Sequence, residues 1–128
     1  MKTNKIYIES VIGELIDKIT ILEIKRKKIS NKNDLDSINK EYSVLKKNLK
    51  KNIKVSKQLK NQWNLLKQTN LKIWEMEDQK RLTQKHLEKL SQLAKNVYKF
   101  NDRRAEIKQK INKITGSNLR EIKKYAKY

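Results

Sequence analysis

The chain has no cysteine, no proline, two glycines and one histidine among its 128 residues, and only 14 acidic side chains against 33 basic ones. Each scarcity removes a class of chemistry. Without cysteine there are no disulfides, no thiolate nucleophile and no cysteine-zinc site, and a single histidine cannot complete a standard zinc centre. Gly13 and Gly116 stand alone, so neither a P-loop nor a dinucleotide loop can be built. A Ser-His-Asp triad would have to use His86, whose neighbours Lys85, Leu87 and Lys89 include no acid, and His86 reads as a surface residue. Long apolar runs are missing too. The opening MKTNKIYIESVIGELIDK carries Glu9, Glu14 and Asp17 within its apolar part, which fits neither a secretory core nor a membrane span. The expectation is a cytoplasmic protein with no membrane partner.

What is abundant is lysine. The formal charge is +19, from 28 Lys and 5 Arg. A basic excess of this size suggests nucleic acid, because cations that neutralise phosphates release counterions. The accompanying 15 Ile and 13 Asn point instead to AT-rich codon usage as the source of much of it. Distribution is more telling than total. No acid occurs from Tyr42 through Trp74, while Lys46, Lys47, Lys50, Lys51, Lys54, Lys57 and Lys60 crowd its first half, with Lys67 and Lys72 beyond. That face is the nucleic-acid candidate.

The absence of Pro and near absence of Gly predict long helices joined by short polar turns. KIYIE (5–9) alternates too briefly for more than an extended lead-in. Ser10 is the expected cap of a first helix to about Ile29, and Asn33 or Asp34 of a second carrying Leu35, Ile38, Tyr42, Leu45 and Leu49. Periodicity slips at residues 52–55, and Ser56 offers a cap for a third helix with Leu59, Trp63, Leu66, Asn70, Ile73 and Glu77 on one stripe. After a weak break at 80–84, a fourth carries Leu90, Leu93, Val97, Phe100, Arg104, Ile107, Ile111 and Ile114. Gly116 is a natural left-handed stop, and Ser117 the expected cap of a short terminal helix with Leu119 and Ile122. The fold class is therefore all-α: one domain over residues 1–128, an elongated antiparallel bundle of about four main helices with a short C-terminal helix. Trp63 and Trp74, at helical spacing with leucines and isoleucines, read as core anchors and not as base-stacking platforms.

Charged residues interrupt these apolar faces. The first helix is apolar almost all round, which makes it central, yet it holds Glu14, Asp17, Glu23 and Arg26. Glu14 and Lys18, four apart, can pair with each other. Glu77 continues an apolar stripe beside Glu75 and Asp78, and Asn101, Arg104 and Lys108 project together from the fourth helix, next to Arg103. Two readings follow. In one, the acids Glu14, Asp17, Glu23, Glu75, Glu77 and Asp78 pair with Lys18, Arg26, Arg103, Arg104 and Lys108 and fix helix register. In the other, Glu14, Asp17, Glu75 and Asp78 hold a magnesium or manganese ion while Lys18, Asn101, Arg103, Arg104 and Lys108 receive a phosphate or carboxylate. Acidic helix pairs of that kind give a faint resemblance to all-helical nucleotide pyrophosphohydrolases.

GELIDKITILEIK (13–25), WEMED (74–78), VYKFNDRRAEIKQKIN (97–112) and the GSNLREIKKYAKY tail together resemble a family of short bacterial proteins known as domain of unknown function 6165. The likeness spans nearly the whole chain, although this sequence has Val11-Ile12 where the family typically has a proline before Gly-Glu. It implies that the polar residues above belong to shared blocks and that the lysine run is particular to this member. It implies no reaction.

From the residues, the expected function is a small binding or adaptor protein whose internal acid-base network accepts an anionic small molecule or protein, with no cofactor required and no complete catalytic set. The alternatives are a magnesium- or manganese-dependent hydrolase or transferase acting on a phosphate-bearing small molecule, and non-specific nucleic-acid binding through the lysine face. Apolar stripes on a chain this short favour a homodimer while the charge opposes one, which leaves monomer and dimer both open.

Overall fold

The computed structural model describes residues 4–122. It contains four helices and, among those residues, no strand: α1 (Ile12–Lys28), α2 (Lys32–Asn52), α3 (Lys57–Leu82) and α4 (Leu87–Thr115). The all-helical bundle is as the periodicity predicts. α1 packs against all three other helices, α3 pairs with α4, and α2 packs on α1. The near-continuous apolar surface of α1 explains its central place: Ile16, Ile19, Leu22 and Ile24 are all buried. Ile16 and Ile19 join Leu49 of α2, Leu59 and Leu66 of α3, and Ile107 and Ile111 of α4 in one core, with Trp63 packed against its edge.

The helices differ greatly in length. α1 has 17 residues and α4 has 29, or roughly 25 Å against roughly 43 Å at 1.5 Å per residue. The α3–α4 pair therefore outruns its partners. No residue from 71 to 96 is buried, and Leu82 and Leu87 at the hairpin tip lie in solvent. The distal half of α3–α4 is thus a two-helix arm whose seam is only half covered. Trp63 is a core anchor as expected; Trp74 is half-buried on the arm, apart from that core.

Local side-chain or glycine signals mark three of the eight helix ends, at Asn31, Ser56 and Gly116. Ser56 caps α3 by accepting from the Leu59 N–H, as expected. α2 begins earlier than expected, because Asn31, and neither Asn33 nor Asp34, accepts from the Asp34 N–H. α1 has no local cap: Ser10 donates to its neighbour Val11 O, and Val11 takes the N-cap position without a side-chain bond. Its first N–H groups are satisfied from the far end of the chain. Ser117 Oγ accepts from Ile12 N–H at 3.0 Å, and Asn112 Oδ1 accepts from Gly13 N–H at 2.6 Å.

That arrangement depends on how α4 ends. Gly116 has φ +63°, and its N–H donates to Lys113 O while Ser117 N–H donates to Asn112 O, the two bonds of a Schellman turn. Ser117 is therefore committed to α1, with its hydroxyl donating to Leu119 O. Residues 117–122 are not helical, which corrects the expected terminal helix there; its remainder lies outside the described residues. Nothing lies within 4 Å of a Cβ built on Gly116, so Gly116→Ala meets only the left-handed backbone cost. It is expected to lower stability by about 1–2 kcal/mol, read as a drop in the thermal midpoint with unchanged helical circular dichroism.

Candidate functional site

The polar residues of the apolar faces gather into three clusters around α1. In the first, Asp17 is 2% exposed. Arg104 of α4 donates to both of its oxygens, Nε to Oδ1 at 2.9 Å and Nη2 to Oδ2, in the parallel geometry that suits a guanidinium to a carboxylate. Asn70 of α3 adds a bond from Nδ2 to Asp17 Oδ1 and another to Thr20 Oγ1, each 2.9 Å, and the Thr20 hydroxyl donates to the Asp17 carbonyl at 2.7 Å. Three helices are tied at one buried carboxylate.

The hydrogen bonds that Arg104 donates to Asp17 raise its guanidinium above its ordinary value; burial opposes this, and the charges of Asp17, Glu14 and Glu121 add to it. A cation raised on folding contributes stability that is complete below its unfolded value and is lost only as pH climbs through the folded one. For Arg104 that window lies beyond the guanidinium's own range. Near neutrality Arg104 is a fixed charge, not a switch.

In the second cluster the buried Lys108 ammonium lies 2.8 Å from Glu14 Oε2 and 3.2 Å from Glu121 Oε2. In the third, Glu23 accepts from Trp63 Nε1 at 2.8 Å and from Lys67 Nζ at 3.0 Å. Asp17–Arg104 and Glu14–Lys108 join acids and bases that the sequence places in one polar network, but Glu14 does not take Lys18, the partner that helical spacing offers it. Glu14 turns to α4, and Lys18 instead reaches Glu41 of α2 at 2.9 Å, in solvent. Arg26, expected on the buried stripe, is exposed, bonding Asn39 and stacking 4.3 Å above the Tyr42 ring.

The remaining candidates lie elsewhere. Glu75 and Asp78 are exposed and Glu77 is half-buried, paired with Lys80 at 3.5 Å on its own helix. The inward course expected of Glu77 fails because α1 does not extend along the arm. Glu75, Glu77 and Asp78 therefore join neither Glu14 nor Asp17, and among the described residues no three Asp, Glu or His side chains gather as a metal site. Arg103 points away from Arg104, its guanidinium 4.9 Å from the Phe100 ring. It lines a groove of about 650 Å³ formed by α3 and α4, where Gln62 also lies, its Oε1 buried without a partner. Asn101 is half-buried and takes no part in the three clusters.

Among uncharged residues, sequence reasoning placed only Asn101 in the polar network, and so missed Thr20, Asn70 and Asn112. Asn70 left a signal, a polar amide on the Leu59–Trp63–Leu66 stripe. Asn112 and Ser117 left none, since their partners are 99 and 105 residues away.

The lysine run stands apart from all of this. Lys47, Lys50, Lys51, Lys54, Lys57 and Lys60 are exposed around the α2–α3 turn, and half-buried Lys46 bonds the Tyr42 hydroxyl. The positive end of the α3 helix dipole adds potential beside Lys54 and Lys57. No described helix is long and apolar enough to cross a membrane. Compared with family models, curated proteins and solved structures, the chain matches none of them.

Proposed function

We propose that this is a non-catalytic helical binding protein that engages a polyanionic partner, most directly nucleic acid, through the exposed lysines of residues 47–60. Its internal network holds the helices that present them. The observation that carries this reading is the division of labour among the cations. Arg104, Lys108 and Lys67 are each held by a carboxylate, whereas the six exposed lysines at the α2–α3 turn belong to a stretch without a single acid. A phosphate entering the interior would have to displace Asp17 or Glu14; one arriving at the turn displaces only water and counterions. The likeness to a family with less lysine between its blocks supports the same split, with a shared framework and a binding surface peculiar to this member.

The hydrolase reading draws less support, because Glu14 and Asp17 are already occupied by Lys108 and Arg104 while Glu75 and Asp78 are exposed on α3, away from both.

The test is fluorescence anisotropy with a labelled single-stranded RNA and a duplex DNA over a salt series. Up to six phosphate contacts predict a log–log slope with salt approaching about −5 on duplex. Lys50→Glu, Lys54→Glu and Lys57→Glu together should weaken binding by more than about tenfold at 0.1 M salt and flatten the slope by roughly three. Binding indifferent to salt, or unchanged in the triple variant, would contradict the proposal.

A further inference from the structure

Residues 4–10 precede the bundle without helix or strand, and Ile6, Tyr7 and Ile8 within them are 88%, 82% and 83% exposed. Three consecutive large apolar side chains are left in water, on a backbone without ladder partners among the described residues, so that as a strand this segment would offer an open edge.

The order of the five residues says what fits that edge. Lys5-Ile6-Tyr7-Ile8-Glu9 is a palindrome in chemistry if one reverses direction: apolar at 6 and 8, an aromatic at the centre, and opposite charges at the two ends. We propose that it pairs antiparallel with the same segment of a second copy, with Tyr7 on the two-fold axis. In that register Lys5 faces the partner's Glu9 and Glu9 the partner's Lys5, Ile6 faces Ile8, and Tyr7 faces Tyr7. Strand alternation then places all four isoleucines on one face of the ribbon and both ion pairs, flanking the tyrosine pair, on the other. A parallel pairing would set like charges opposite each other at both ends, and a one-residue slip would lose the ion pairs.

A two-stranded ribbon alone is marginal and needs its apolar face covered. The chain supplies apolar surface close by. Asn118 Nδ2 donates to Glu9 Oε2 at 2.7 Å, drawing the tail beside the lead-in, and Leu119 and Ile122 of that tail are exposed, Ile122 almost completely. The segment itself is electrically neutral, and at 0.15 M salt, where the Debye length is about 8 Å, repulsion between the lysines of two copies is largely screened. The choice of a second copy over an unrelated strand rests on that charge order.

Sedimentation of the full chain over a concentration series tests it. The protein is expected to dimerise. Lys5→Glu or Glu9→Lys alone, each placing like charges opposite each other twice, should weaken the dimer on the order of tenfold or more, and the doubly exchanged variant Lys5→Glu/Glu9→Lys should restore it. Because the chain has no cysteine, Tyr7→Cys provides an independent check. Residues facing across an antiparallel pair have Cα separations of about 4.5–5.5 Å, within disulfide reach, so oxidation should yield a covalent dimer from Tyr7→Cys but not from Lys5→Cys. A monomer at all concentrations, failure of the exchanged variant to recover, or equal cross-linking at positions 5 and 7 would each overturn the proposal.

Discussion

Asp17→Ala is expected to destabilise the protein by about 3–5 kcal/mol, the usual consequence of removing one partner from a buried charge pair. The loss is large because Asp17 serves three elements at once. Without it the Arg104 guanidinium loses both of its acceptor oxygens, the Asn70 amide loses one of its two bonds, and α1 loses its tie to Arg104 of α4 and one of its ties to Asn70 of α3. A domain of this size has a total stability of about 5–15 kcal/mol, so the variant should unfold at a much lower urea concentration with little change in m. Arg104→Met should cost a similar amount, since it leaves a nearly inaccessible carboxylate with Asn70 alone. Arg104→Lys retains the charge but cannot make two parallel bonds, and a loss of about 1–2 kcal/mol is expected.

The second large effect is expected at Gly13. A Cβ there would lie 2.5 Å from Lys108 O and 2.8 Å from Asn112 Oδ1. The first of these is helix backbone and cannot swing aside. Alanine improves helix propensity by roughly 1 kcal/mol, but overpacking at a backbone contact typically costs about 1–3 kcal/mol. Separating α1 from α4 would also stretch the bonds from Ile12 and Gly13 to Ser117 and Asn112, which replace the missing local cap at a typical worth of about 1 kcal/mol each. Gly13→Ala should therefore destabilise by about 2–4 kcal/mol in urea unfolding, more than Gly116→Ala. The two glycines serve different needs, close approach at one and a left-handed backbone at the other.

Much of this was legible in the sequence for identifiable reasons. An apolar surface around all of α1 predicts a central helix, and Ser56 and Gly116 mark ends through local chemistry that needs no tertiary context. Asp17 and Arg104 were recognisable as members of one polar network because each is a charge on an apolar helix face, and such groups have few places to go. The rest was hidden because it depends on where one helix stops relative to another. Periodicity extends the α3 stripe to Glu77, but only the length of α1 decides that the stripe is uncovered by then. Helical spacing offers Glu14 to Lys18, but a buried ammonium on α4 is the stronger claimant. The caps of α1 were out of reach, since no local pattern connects Ile12 to Ser117.

The central claim is that the scarce acids hold the bundle together while the abundant lysines face outward to a partner. A double-mutant cycle on Asp17→Ala and Arg104→Ala, measured by urea unfolding, tests it most directly. If the two side chains form one closed structural unit, the double variant will be less destabilised than the sum of the singles, with a coupling of about 2 kcal/mol or more. Losses that add to within about 0.5 kcal/mol would contradict the account, for they would mean that the pair at the centre of the network does not hold its helices in register.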